Sequence, residues 1–159
     1  MAEPSPVATF STVEPTSRRP VVLVVLDDSE RSALLKLSLA SRGWEVVRAH
    51  SCEQARARVL EQRDGRVDAL LTDLVLPDGS AFGLQRALAA SASITAVLTW
   101  GNQHGIRERI AASGFDVHLV RPISAEEIDV VLRRALGAAR EAVDRRTARV
   151  HRIGAGARG

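Results

Sequence analysis

Five short apolar runs recur along this chain, each followed by a helix-length segment, and that alternation limits the fold more than any other feature. The runs cover residues 21–26, 44–49, 67–73, 94–99 and 115–120. Residues 21–26 are all Val or Leu, and Ala69, Leu70 and Leu71 sit together without polar alternation. Runs of this kind are strands buried on both faces. The intervening segments carry helical signals. Ser29 is a good N-cap, and Ala33, Leu34, Leu37 and Leu39 or Ala40 follow at helical spacing as far as Arg42-Gly43. Ser51 caps a second helix with Ala55, Val59 and Leu60 inward, ending near Asp64-Gly65. Residues 80–90 form a third, with Phe82, Leu84, Ala87 and Leu88 as its apolar set, and residues 102–112 a polar fourth. Ser124 and Glu127 make a capping box for a fifth, which continues through Ile128, Val131, Leu132 and Leu136.

Strands alternating with helices in this way imply an α/β fold, a parallel sheet with helices on both faces. Right-handed crossovers leave few topologies, and the simplest is a flavodoxin-like (βα)5 three-layer sandwich with strand order 2-1-3-4-5. Residues 1–19, rich in Pro, Ser and Thr, are expected to be a disordered leader. Residues 20–138 make the single domain. Residues 139–159 are an Arg-rich segment, of which 139–150 extend the last helix and 151–159 are expected to be disordered. The net charge of +3 conceals an asymmetry: residues 133–159 carry eight Arg against Glu141 and Asp144, and the body before them is mildly acidic.

One cysteine, Cys52, excludes an internal disulfide and a cysteine-rich metal site. No apolar run has membrane-spanning length, and the N-terminus has neither a basic start nor an apolar core, so the expected location is the cytoplasm. The basic tail lacks aromatics and no helix-turn-helix pattern follows the domain, so direct DNA binding is not expected. A dinucleotide site is disfavoured because no Gly-x-Gly-x-x-Gly follows the first strand.

In the 2-1-3-4-5 order, strands 1 and 3 are neighbours. Asp27 and Asp28 after the first and Asp73 at the end of the third then meet at the carboxyl edge, where open α/β sheets place their chemistry. Three carboxylates without a cation repel one another, so either a pKa rises or a cation binds. Oxygen-only ligands suit Mg²⁺. Thr99 and Arg121 end the fourth and fifth strands at the same edge. A hydroxyl and a fixed cation beside such a cluster suit a phosphoryl group, and an Asp can itself accept one.

The segments Leu26-Asp27-Asp28-Ser29-Glu30, Leu71-Thr72-Asp73 through Pro77-Asp78-Gly79, Leu98-Thr99 and Val120-Arg121-Pro122 resemble the response-regulator receiver domains of bacterial two-component signalling. The resemblance covers roughly residues 20–138. It implies a stand-alone receiver, similar to chemotaxis regulators, that is a signalling phosphoacceptor rather than a metabolic enzyme. Asp73 would take phosphate from a sensor histidine kinase or phosphotransfer protein. Asp27, Asp28, Asp73 and the backbone carbonyl of Val75 would hold Mg²⁺, Thr99 and Arg121 would contact the phosphoryl group, and Thr99 with His118 would form the switch. Output would be a contact with a downstream protein through the helix 4–strand 5–helix 5 face. Four positions depart from the family pattern: Arg121 replaces a lysine, Trp100 a small residue, Ala81 a glycine and His118 a Tyr or Phe. Trp100 is a candidate cover for the site. These departures keep open a second reading, a phosphorylation-independent pseudo-receiver that serves as a protein-interaction module. A haloacid dehalogenase-type phosphohydrolase is disfavoured, because Asp27 and Asp28 are adjacent rather than spaced Asp-x-Asp.

Overall fold

The computed structural model describes residues 18–101 and 103–155, with side chains as far as Val150. The leader up to residue 17, Asn102 and residues 156–159 lie outside the described residues. The chain runs β1 (Val21–Val25), α1 (Ser29–Ala40), β2 (Glu45–Ala49), α2 (Cys52–Leu60), β3 (Val67–Asp73), a two-stranded hairpin of β4 (Val75–Leu76) and β5 (Gly79–Ser80), α3 (Ala81–Leu88), β6 (Ala92–Trp100), α4 (Ile106–Ala112), β7 (Val117–Arg121) and α5 (Ala125–Ala155). The main sheet is parallel in the order β2-β1-β3-β6-β7. With the hairpin set aside, this is the flavodoxin-like order 2-1-3-4-5 with its five helices.

Alternate residues of each strand point to opposite faces. Val22, Val24, Leu71, Leu98 and Leu119 pack with Leu39 of α1 and Ile128 and Leu132 of α5. Leu23, Val25 and Leu70 pack with Ala55 and Val59 of α2 and Leu84 and Leu88 of α3. Val97 meets Ala81 and Ile110, which brings α4 onto this second face. Each fully buried Val or Leu contributes about 1.5–3 kcal/mol, so the apolar strands hold the layers together.

Several local expectations are corrected. Asp28, not Ser29, caps α1: its carboxylate accepts from the Glu30 and Arg31 N–H groups. Leu34 and Leu37 are exposed, at 63% and 69%, while Ser32 and Leu39 are buried. Leu35 and Leu39 form the packed apolar face instead, and Ser32 on the buried side accepts from Arg48 Nε of β2 at 2.8 Å. Leu60 of α2 is exposed as well. The fourth helix begins at Ile106, after Gly105 has turned the chain with φ of 76°. Asp116 is outside the fifth strand and binds Thr95 N–H at 2.7 Å. The last helix does not stop at residue 150 but continues to Ala155.

Candidate functional site

The register places three strand ends together. Asp73, the last residue of β3, pairs with Leu98 of β6, and Val25 of β1 pairs with Thr72. Asp27, two residues past β1, donates its N–H to Asp73 Oδ2 at 3.4 Å. Across the edge, Arg121 Nη1 lies 2.7 Å from Asp73 Oδ1, with both side chains largely buried. That oxygen accepts no hydrogen bond, although it is inaccessible to solvent. The contact is therefore an ion pair whose N–H axis is not aimed at the oxygen. A buried acceptor left in this state calls for a cation or a better-placed donor.

Asp28 sits beside this pair but is turned into its own helix. Its Oδ1 accepts from Glu30 and Arg31 N–H at 2.9 and 3.1 Å, and its Oδ2 lies 3.6 Å from Arg31 Nε. The Arg31 N–H leads in holding its carboxyl below the ordinary range, opposed by desolvation and helped by the Glu30 N–H and the Arg31 charge.

Trp100 and Arg121 face each other directly in the β6–β7 ladder. Both point toward the α1/α5 face, where they line a groove with Leu34, Ile123 and Ile128. The Arg121 guanidinium carbon is 5.3 Å from the centroid of the Trp100 ring. Arg31, in the first turn of α1, brings its guanidinium carbon to 4.8 Å from the same ring. Both distances are within cation–π range. Trp100 is half exposed, so it borders the site rather than sealing it.

Thr99 and His118 point the other way, toward α4. Thr99 Oγ1 and His118 Nε2 are 2.7 Å apart. Burial, assisted by the Arg107 charge, pushes the His118 pKa below its ordinary value of 6.5, so the neutral ring is favoured. Ala81, where a glycine was the expected residue, is fully buried at the start of α3 and is not among the positive-φ residues. Alanine is therefore accommodated there without backbone strain.

A cavity of about 470 Å³ gathers these groups. It is lined by Asp27, Asp28, Arg31, Asp73, Leu74, Val75, Leu98, Thr99, Trp100, Gln103 and Arg121. Every residue expected at the site reaches this cavity except His118, which joins it through Thr99. Among the described residues, no group of three or more His, Cys, Asp or Glu side chains is arranged to hold a metal ion. The cause is local, since Asp28 is committed to capping α1. Asp27 and Asp73, whose Oδ1 accepts no hydrogen bond, still offer the one or two carboxylates that Mg²⁺ takes while it keeps several waters. The donor set therefore fits that ion.

Two participants escaped the sequence reading. Arg31 was legible only as a surface charge in the first turn of α1, although its spacing of three from Asp28 puts the pair on one helix face. Asp78 looked like a turn residue. Its carboxylate instead accepts from Cys52 and Glu53 N–H at 2.7 and 3.0 Å, tying the loop after Asp73 to the start of α2.

No family model matches the chain. In sequence it is similar to the transcriptional regulatory protein TrcR of Mycobacterium tuberculosis, 31% identical over 117 residues, covering 72% of this chain and 44% of that one. It is also similar to the phosphate regulon transcriptional regulatory protein PhoB of Rhizobium meliloti, 31% identical over 149 residues, covering 84% of this chain and 64% of that one. The chain thus spans only part of each of these curated relatives. In structure it is similar to a CheY-like response regulator receiver domain protein from Methanospirillum hungatei, with a TM-score of 0.68 at 18% identity, covering 77% of this chain and 98% of that one. This chain has the fold of response regulator receiver domains, and in sequence it is similar to curated transcriptional regulatory proteins and to the response regulator MprA of Mycobacterium avium.

Proposed function

We propose that the chain works in two-component signal transduction as a Mg²⁺-dependent phosphoacceptor, with Asp73 as the acceptor. The observation that carries this reading is the buried Asp73 Oδ1, which has an arginine beside it and no hydrogen bond. A carboxylate oxygen of Asp73 would attack the phosphorus of a phosphohistidine. The P–N bond breaks, and the imidazole leaves with the electron pair and takes up a proton. Arg121, already at the carboxylate, is placed to meet the charge that the phosphoryl oxygens bring. Thr99 offers a hydroxyl on the opposite side, and its bond to His118 would carry a change of Thr99 position into β7. Asp27, Asp73 and the Val75 carbonyl are the groups that would hold Mg²⁺, with Asp28 contributing if it leaves its cap. The ion, when bound, neutralises carboxylate and phosphoryl charge.

The donor would be a sensor histidine kinase or a phosphotransfer protein. The output would be a protein contact through α4, β7 and α5. No helix among the described residues is long and apolar enough to cross a membrane. We place the protein in the cytoplasm, as a signalling phosphoacceptor and not a metabolic enzyme. The Arg121–Asp73 ion pair also favours the second reading, a phosphorylation-independent interaction module, because it already compensates the acceptor.

Incubation with Mg²⁺ and acetyl phosphate, followed by intact mass, separates the two. A single phosphoryl adduct that disappears in Asp73→Asn is the expected result. Absence of any adduct, together with no response to Mg²⁺ and beryllofluoride, would overturn this reading in favour of the interaction module.

A further inference from the structure

The Asp73 cavity contains two guanidinium groups, and the phosphoacceptor reading uses only Arg121. Arg31 lines the same cavity from α1. Its partner there is Asp28, but the Nε–Oδ2 separation is 3.6 Å and both side chains are about half exposed. A pair of that length and exposure holds its members weakly. What restrains Arg31 is Trp100, whose ring it approaches at 4.8 Å. The same indole is approached by Arg121 at 5.3 Å. One flat ring therefore orients two planar five-donor groups at one acidic edge. Stacking limits their rotamers before any ligand arrives, which lowers the ordering cost of binding.

The charge balance points the same way. Three carboxylates and two guanidinium groups share the cavity. A dianionic phosphoryl group on Asp73 adds negative charge and three acceptor oxygens to a cavity whose carboxylates already outnumber its guanidinium groups. Arg31 is the second cation within the cavity lining, and the length of its Asp28 contact leaves its donors available. We propose that Arg31 is a second phosphoryl-binding cation of the Asp73 site, and that Trp100 is the positioning residue that holds it there alongside Arg121. The proposal rests on the phosphoacceptor reading and adds α1 to the elements that read the phosphoryl group.

The test is a titration with beryllofluoride in saturating Mg²⁺, followed by the fluorine resonance of the bound anion, which remains readable when Trp100 is replaced, and by the two tryptophan indole N–H resonances. Trp44 is buried away from the site and serves as the internal control. In the wild type, the Trp100 signal shifts and the Trp44 signal does not. Arg31→Gln weakens beryllofluoride binding about tenfold, the loss of one charge-assisted hydrogen bond, and leaves Mg²⁺ binding alone unchanged or tighter. Arg31→Lys recovers only part of the loss, since lysine keeps the charge without the planar fork. Trp100→Leu weakens binding, and Arg31→Gln added to it costs little more. Unchanged beryllofluoride affinity in Arg31→Gln, full recovery in Arg31→Lys, equal weakening of Mg²⁺ and beryllofluoride, or independent effects of the two substitutions would each overturn the proposal while leaving the phosphoacceptor reading intact. A wild-type protein that binds no beryllofluoride overturns that reading and the proposal with it.

Discussion

Thr99 and His118 are joined at 2.7 Å across adjacent parallel strands, side chain to side chain, on the face that α4 covers. Burial and the Arg107 charge depress the His118 pKa, so the native state prefers the neutral ring. The unfolded chain titrates near 6.5. Between the depressed native value and 6.5 the unfolded state binds more protons, and stability rises with pH. The contribution is complete above 6.5 and is lost as pH falls through the native value. Urea midpoints measured from roughly pH 5 to 8 should show this rise, and His118→Phe should flatten it. An unaltered slope in His118→Phe would assign the dependence to other groups.

Arg121 is the ion-pair partner of the buried Asp73 Oδ1, which accepts no hydrogen bond. Arg121→Gln is expected to destabilise the fold by about 1–3 kcal/mol, the cost of leaving a largely buried carboxylate without its counter-charge. Mg²⁺ should restore part of this, and should raise the melting temperature of the variant more than that of the wild type. Thermal melts with and without Mg²⁺ check both points. An equal Mg²⁺ increment in the two proteins would mean that the ion and the arginine do not serve the same carboxylate.

Asp78 secures the loop after the acceptor by receiving two N–H groups from the first turn of α2. Those bonds hold its carboxyl below the ordinary range. Asp78→Ala should lower the melting temperature at neutral pH. The difference from wild type should shrink as pH falls below 3.8 and through the depressed native value, where the wild-type carboxyl is itself protonated. A difference that persists under acid would point to packing rather than charge.

Trp44 is buried and donates from Nε1 to Asp129 of α5 at 2.7 Å. Arg133 donates to the same carboxylate oxygen at 2.7 Å, so Asp129 keeps a partner when the indole is removed. Trp44→Phe is therefore expected to cost about 1 kcal/mol for the hydrogen bond, plus a packing loss, with no change in ligand response at the carboxyl edge. Chemical denaturation gives the first quantity and a beryllofluoride titration the second.

The sheet order was legible because Val and Leu runs at the right intervals leave few parallel arrangements. Convergence of Asp27, Asp28 and Asp73 followed from the order alone. Side-chain commitments within that edge were less legible. Asp28 and Ser29 are both good caps, and which one ends up capping depends on where β1 releases the chain, a tertiary fact. The inward face of α1 was misjudged because Leu34 and Leu37 are apolar yet exposed, while Ser32 is buried against Arg48. Trp100 could be recognised as out of place, but not as a platform. Its stacking partners come from β7, 21 positions later, and from α1, near the start of the domain.

Along β6, the neighbouring residues Thr99 and Trp100 address opposite layers of the sandwich, one toward α4 and the other toward α1 and α5. One strand end thus reaches both layers of the sandwich through a single peptide bond. If occupancy of Asp73 shifts either residue, a macromolecule that grips the corresponding layer through it is thermodynamically linked to that occupancy. By reciprocity the occupant then alters the affinity of each such surface by the factor with which that surface alters its own. Input and output could therefore use different sides of the sheet without competing for one patch.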